Sequence, residues 1–262
     1  MPDPAQVLDG RHALITGGGT GIGAAIARTL AGAGAAVSIA GRRAGPLEEV
    51  AARLPRAKAI VADVTSEADT SAMVASARAA HGPIDILVAN AGAAESAPIA
   101  KLDLAHWQRM IDVNLTGAFL TVKAALPDIA QGPGLGARER RIIFVSSTAG
   151  LKGYPYVAAY CAAKHGLIGL TRALAAELHQ TSVTVNAVCP GFTHTPLLDG
   201  SIASIADRTG RARKEVASDL AAFNPQGRFI EPDEIAETVL WLCSPAARSV
   251  TGQAISVSGG ET

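Results

Sequence analysis

HALITGGGTGIGAAIARTLAG, residues 12–32, passes from a short aliphatic run through a cluster of glycines into small and aliphatic residues at helical spacing. A run of this length, uncharged at its centre, suits a strand covered on both faces of a parallel sheet, and the residues after the glycine cluster suit a helix ending in glycine. Glycines at a strand-to-helix turn lack a Cβ, so the backbone can approach a diphosphate closely and aim its amides at the anion. TGGGTGIG, 16–23, therefore reads as a dinucleotide-binding turn, with Gly17, Gly21 and Gly23 as the participating glycines. A plain tight turn, or a flavin or other adenine-containing ligand, is the alternative. The triphosphate-binding pattern that ends in Gly-Lys-Ser/Thr is absent, which lowers a kinase or a nucleoside triphosphatase.

Outward from this stretch the same rhythm recurs. Strand-like runs lie at AAVSIAG (35–41), AKAIVAD (57–63), DILVANAG (85–92), RIIFVSS (141–147), SVTVNAVCPG (182–191) and GQAISVSGG (252–260). Helical patterns lie between them at 69–82, at 106–130 with room for a loop or a bend, and at 231–245, where Pro232 and acidic residues mark the start. Alternating β and α segments predict an α/β fold, one doubly wound domain over residues 1–262. QGPGLGARER (131–140) predicts an exposed loop. The segment 194–228 is long for a structureless connection and predicts short helices forming a lid.

Composition narrows the function classes. Basic and acidic residues balance at 23 each in 262 residues, so no overall field favours nucleic acid or a membrane surface. Neither a signal-peptide pattern nor an apolar stretch of about eighteen residues is present, and a soluble cytoplasmic protein is the expectation. Cys161, Cys189 and Cys243 match no metal spacing and predict buried free thiols; the histidines form no metal-ligand pattern either. No metal site is expected.

The end of the second strand run bears on the cofactor. A site for NAD(H) would offer a carboxylate there for the ribose 2′-hydroxyl, whereas this chain has Arg42 and Arg43, and an arginine can pair with the 2′-phosphate of NADP. NADP(H) is predicted over NAD(H), with Arg42 the stronger candidate and a solvated basic turn the alternative.

TGxxxGxG at 16–23, Asp63, NAG at 90–92, Asn114 in VNLTG, Ser147, and the YxxxK pair Tyr160 and Lys164 together resemble the short-chain dehydrogenase/reductase family. CPG at 189–191, Thr195 and TGQAISVSGG at 251–260 extend the likeness through nearly the whole chain. The resemblance implies a single Rossmann-type domain with a seven-stranded parallel sheet, assembled as a homotetramer. It implies that Asp63 faces the adenine, that Asn90, Ala91 and Gly92 steady the central strand beside the cofactor, and that Thr195 meets the nicotinamide carboxamide. It also implies cofactor contacts at Thr20, Ile22, Val64, Pro190, Gly191 and Thr193. Among relatives the chain is most similar to 3-oxoacyl thioester reductases and 3-hydroxyacyl dehydrogenases. Dehydrogenases of free 3-hydroxybutyrate or of cyclic or aromatic secondary alcohols are the alternative, with an NADP-binding regulator without turnover ranked after them.

Tyr160 and Lys164 are spaced i, i+4 and so share a helical face. A neighbouring ammonium, together with an oxidised nicotinamide, favours the phenolate of a tyrosine that otherwise titrates near ~10. Tyr160 is thus the expected proton acceptor in alcohol oxidation and donor in ketone reduction, with Ser147 bonded to the reacting oxygen. The resemblance gives Lys164 the nicotinamide ribose and Asn114 a water linked to the lysine. If the fifth strand run continues through both serines, Ser146 and Ser147 point to opposite faces; the resemblance selects Ser147. Tyr154 and Tyr156 have no lysine four residues on and read as loop or pocket wall. FVSSTAG does not fit a hydrolase nucleophile elbow.

In the predicted lid, Leu197, Leu198, Ile202, Ile205 and Phe223 suit an acyl or ring pocket. Arg208, Arg211, Arg213 and Lys214 suit a phosphate-bearing handle such as coenzyme A or an acyl carrier, or else a solvated helix face. GLIGLTRALAAEL (166–178) is apolar for a surface helix and predicts either a homo-oligomer contact or packing on the chain's own sheet.

Overall fold

Each aliphatic run becomes a strand in the computed structural model, which describes residues 6–130 and 139–262. β1 (His12–Thr16), β2 (Ala36–Gly41), β3 (Ala57–Val61) and β4 (Ile86–Ala89) are followed by β5 (Arg140–Val145), β6 (Val183–Pro190) and β7 (Ala254–Val257). They form one sheet in the order β3-β2-β1-β4-β5-β6-β7, with every pairing parallel. Leu14 lies opposite Ser38 on one side and Leu87 on the other. Chain order therefore reverses direction across the sheet beside β1, and an open α/β sheet has its ligand crevice at such a switch point, outside the carboxyl ends of the strands.

Parallel neighbours need crossover connections, and helices supply them. These are α1 (Gly21–Gly32), α2 (Ala44–Ala51), α3 (Glu67–His81), α4 (Leu104–Ile111), α5 (Gly117–Ile129), α6 (Ala158–Glu177), α7 (Pro196–Thr209), α8 (Arg213–Ala221) and α9 (Pro232–Cys243). Side chains alternate across β1. Ala13 and Ile15 join Ile26 and Leu30 of α1 and Ile235 and Val239 of α9, while Leu14 joins Met73, Val122 and Leu167 from α3, α5 and α6. Both faces are covered, which is why the strands carry apolar residues at consecutive positions rather than every second one.

The 106–130 segment differs from the expected loop or bend. α4 runs straight into a π-helical turn at Asp112–Thr116 and on into α5, so the helix is continuous through one wide turn. α2 is a helix that the sequence pattern did not signal. Pro46 stands in its first turn, where a missing N–H has no intrahelical partner to lose, and Leu47 is its buried residue. The predicted lid contains α7 and α8, which pack on each other through Leu198, Ile202, Ala206 and Val216. Of the expected 131–140 loop, residues 131–138 lie outside the described residues, and Arg140 opens β5.

In α6, Leu167, Ile168 and Ala175 pack into the chain's own core, the second of the two expected uses of that segment. All three cysteines are free and buried. Among the described residues, no helix is long and apolar enough to cross a membrane.

Candidate active site

The site forms where β1 and β4 end side by side. The Thr16 hydroxyl accepts from the backbone N–H groups of Asn90 and Ala91, both at 3.1 Å. Asn90 Nδ2 donates back to Thr16 O at 2.8 Å and to Gly17 O at 3.3 Å. This reciprocal tie holds the glycine turn open against the loop after β4. Gly17 takes φ +68°, and a Cβ there would meet Asn90 Nδ2 at 2.7 Å. At Gly23 a Cβ would stand 2.2 Å from Gly17 O, so the first turn of α1 can close on the loop only without one.

The π turn supplies the next wall. It brings Asn114 inward, 1% exposed, where Oδ1 accepts from Ala93 N–H at 3.2 Å and Nδ2 donates to Ala93 O and Met110 O at 2.9 and 3.0 Å. A buried amide with this many partners is satisfied, and it pins the loop after β4 to the helical segment formed by α4, the π turn and α5. A π turn inside an α-helix commonly marks a functional position, because the extra residue turns one side chain out of register.

β5 and α6 contribute the reactive groups. The backbone leaves β5 at Val145; Ser146 turns its hydroxyl back to donate to Lys164 O at 3.2 Å, and Ser147, fully extended, opens a short 3-10 turn. The Ser147 hydroxyl lies near enough to the Tyr160 hydroxyl to favour its phenolate. One helical turn on, Lys164 is 4% exposed and donates from Nζ to Val145 O at 2.9 Å, with Nζ 5.6 Å from the Tyr160 ring centroid. Burial pushes the Tyr160 phenol up to about 12, partly offset by the nearby Ser147 hydroxyl. The same burial pushes Lys164 down to about 8. In the chain alone, then, the expected tilt toward phenolate is reversed: desolvation opposes both charges, and the lysine spends a bond on a carbonyl rather than on the phenol.

A cavity of about 190 Å³ joins these walls. Of the residues singled out from the sequence, Gly17, Thr20, Gly21, Ile22, Gly23, Asn90, Ala91, Gly92, Asn114, Tyr160, Lys164 and Thr195 line it. Ser147, the serine that the resemblance selects, is not among the lining residues, whereas Ser146 is. Arg42 and Arg43 are exposed just past the end of β2, and Arg42 is close enough to Asp63 to help hold its carboxyl below the usual range, after the two bonds from Thr65. Val64 packs against Gly117, while Pro190 ends β6 and Gly191 and Thr193 lead to Thr195, the N-cap of α7. Ala93, Val145, Ser146, Pro196 and Leu197 also line the cavity. Val145 acts through its carbonyl, which no residue type reveals in a sequence. Leu197 carried a signal as a lid residue.

The two other tyrosines separate. Tyr154 is part-buried, bonds Thr148 Oγ1 at 2.7 Å and Glu261 Oε1, and packs against Phe192 and Phe223, so it is a wall residue. Tyr156 is 64% exposed and holds φ +68°, rare for a side chain of this size. Of the predicted handle-binding set, Arg211 is paired with Asp219 at 2.6 Å and Glu215 at 3.9 Å, and Arg208 donates to Ser96 O at 2.6 Å, while Arg213 and Lys214 are exposed at the start of α8. Arg211 is thus spent within its own neighbourhood, the solvated-face alternative.

The family model described as short chain dehydrogenase matches residues 11–205. The cis-4-hydroxycyclohexanecarboxylate dehydrogenase of Sinomonas cyclohexanicum is 41% identical over 257 residues, covering 96% of each chain. A crystal structure of an actinorhodin polyketide ketoreductase variant with NADPH superposes with a TM-score of 0.90 at 36% identity, covering 96% of this chain and 97% of that one. The 3-ketoacyl-(acyl-carrier-protein) reductase from Brucella melitensis complexed with NADH gives 0.87 at 34% identity, covering 97% and 99%. With this match over most of the chain, and with relatives and solved structures above 30% identity along nearly its whole length, the chain belongs to the short-chain dehydrogenase family, oxidoreductases that use NAD(P)(H) on CH–OH and C=O groups.

Proposed function

We propose that the chain reduces a 3-oxoacyl thioester to the 3-hydroxyacyl thioester with NADPH, through Ser147, Tyr160, Lys164 and Asn114. The observation that carries this is Tyr160 and the buried Lys164 together on the wall of a glycine-lined cavity, with the Ser147 hydroxyl near the phenol. The dinucleotide, when bound, supplies the hydride. The Cβ-free approach at Gly17 and Gly23 suits its diphosphate, Asp63 and Val64 would border its adenine, and Thr193 and Thr195, with the Pro190–Gly191 turn, its nicotinamide half.

Tyr160 does the proton work. A phenol held up at about 12 is protonated near neutral pH and can donate to the oxygen of a carbonyl as that oxygen becomes an alkoxide. The Ser147 hydroxyl, close to Tyr160, would donate to the same oxygen and stabilise the charge on it. Lys164, anchored by Val145 O, keeps a cation near the phenol and would hold the ribose hydroxyls of the dinucleotide. Asn114 fixes the loop at Ala93 and so the depth of the cavity floor; a water between it and Lys164 would refill the proton lost by Tyr160.

Arg42 supports NADP(H) over NAD(H), because its guanidinium stands at the end of β2 near Asp63, and Arg43 beside it adds a second positive charge. The α7–α8 segment would act as the lid, with Leu197 at the cavity and Arg213 and Lys214 outward for a coenzyme A or acyl-carrier phosphate. The similarity at 41% to a dehydrogenase of a hydroxycyclohexane acid favours a second reading, oxidation of a free cyclic secondary alcohol. The apolar residues Leu104 and Phe119 of α4 and α5 and Trp241 of α9, exposed in the single chain, support a homo-oligomer.

The test is a panel of 3-oxoacyl-CoA thioesters and matched free ketones, run with each reduced cofactor. Thioesters should turn over at least tenfold better with NADPH than with NADH. Arg42→Ala should raise KM for NADPH about tenfold or more, the cost of one charge-assisted contact, and leave NADH unchanged. Preference for NADH, or for free cyclic ketones, would reject the corresponding half of the proposal.

A further inference from the structure

We infer that Glu261 is a positioning residue for Ser147, acting through a hydrogen-bonded chain from the segment after β7 into the turn that carries the serine; the inference rests on the role proposed above for Ser147. The Glu261 side chain is 2% exposed. Its Oε1 receives the Tyr154 hydroxyl and lies 3.0 Å from Lys152 Nζ. Tyr154 has one phenolic proton and two partners, Glu261 Oε1 and Thr148 Oγ1. A carboxylate is the stronger acceptor, so the phenol donates to Glu261 and the Thr148 hydroxyl donates to the phenol oxygen.

Thr148 is the residue after Ser147 and begins its 3-10 turn. Within that turn, Ala149 N–H donates to the Ser147 hydroxyl at 3.1 Å, Gly150 N–H to Ser147 O at 2.9 Å, and Lys152 N–H to Thr148 O at 3.0 Å. The Ser147 hydroxyl in turn lies near enough to the Tyr160 phenol to favour its ionised form. Glu261 thus holds both ends of the turn, Thr148 through Tyr154 and Lys152 directly, and the turn sets where the serine hydroxyl points. Tyr154 also packs against Phe192 and Phe223, so the same carboxylate steadies the wall on which the predicted lid rests.

A purely structural pair does not account for this carboxylate. Glu261 Oε2 is buried with no hydrogen-bond partner, a cost that a neutral side chain of the same shape would largely avoid. What the charge adds is a strong acceptor for the phenol proton, which polarises the chain toward Thr148.

The experiment compares Glu261→Ala and Glu261→Gln in the wild-type and Ser147→Ala backgrounds, with NADPH and acetoacetyl-CoA, and reads amide exchange by mass spectrometry. Glu261→Ala should lower kcat about tenfold, the value of a hydrogen bond to a charged group, with KM for NADPH unchanged and Glu261→Gln intermediate. In the Ser147→Ala background neither change should lower kcat further, because the group they position is gone. In Glu261→Gln, the amides of Ala149, Gly150 and Lys152 should exchange faster while those of β4 and β5 keep their protection. Equal losses of kcat in both backgrounds, no loss in either, or unchanged exchange in the turn would overturn the inference. If Glu261→Ala does not fold, the Gln variant carries both comparisons. A Ser147→Ala protein with full activity, or a wild type inactive on the thioester, would instead overturn the proposed function, and the exchange arm would still decide the positioning.

Discussion

At the scale of single residues, the chemistry rests on how burial treats two opposite charges four positions apart. Tyr160 is pushed up to about 12 and Lys164 down to about 8, so near neutral pH the pair holds a phenol and a mostly protonated amine. That state suits proton donation. Reduction should therefore be fast near neutral pH and slow as the phenol is lost in alkali, while oxidation, which needs the phenolate, should climb from pH 6 to 9; rate profiles in the two directions check this. Tyr160→Phe should lower turnover roughly a hundredfold to ten-thousandfold with cofactor affinity nearly unchanged, as followed by quenching of NADPH fluorescence. Much of this was legible in the chain: the i, i+4 spacing alone put Tyr160 and Lys164 on one face. The direction of the phenol's shift was not, because desolvation depends on what covers a residue, and Val145 O as the lysine's anchor is a backbone atom.

At the scale of elements, two junctions carry the site. The first is the turn from β1 into α1, where a Cβ at position 23 would overlap Gly17 O. Gly23→Ala should cost about 1–3 kcal/mol in urea unfolding and abolish measurable cofactor binding in calorimetry, since the loop must lift to make room. The glycines and their strand–helix context make this junction readable from the chain itself. The second is the π turn between α4 and α5, where the pattern reads only a loop or bend; hydrophobic spacing registers helix on either side but is blind to one extra residue in a turn. At the start of β1, His12 is buried, with Nδ1 2.9 Å from Gly82 O and Nε2 2.9 Å from Ser38 Oγ. Burial lowers its pKa from 6.5, with a further lowering from His81 set against raising contributions from the Gly82 carbonyl and Asp85. Between the lowered folded value and 6.5 the unfolded chain binds more protons, so stability is full above 6.5 and falls as the pH drops below it. The urea midpoint should therefore drop from pH 7 to pH 5, and His12→Gln should flatten that slope.

At the scale of the whole molecule, exposed Leu104, Phe119 and Trp241 are large apolar side chains on helices that face away from the sheet. Light scattering should give a mass above that of one chain, and Leu104→Glu with Phe119→Glu should lower it; a monomer in the wild type would reject the assembly. Strand and helix order, the α/β class, the glycine turn and the Tyr160–Lys164 pair are all set by the sequence, because each depends on spacing within a segment of fewer than about twenty residues. Tertiary structure alone decided which groups share a cavity: that Thr16 ties Asn90 to the glycine turn, that Asn114 pins Ala93, that Arg211 is spent on Asp219, and that Glu261 reaches Tyr154 from 107 residues away. Periodicity reports the face on which a residue lies. Which neighbour it meets there depends on how the faces pack, and that contact, through burial and hydrogen bonding, sets the charge each group carries.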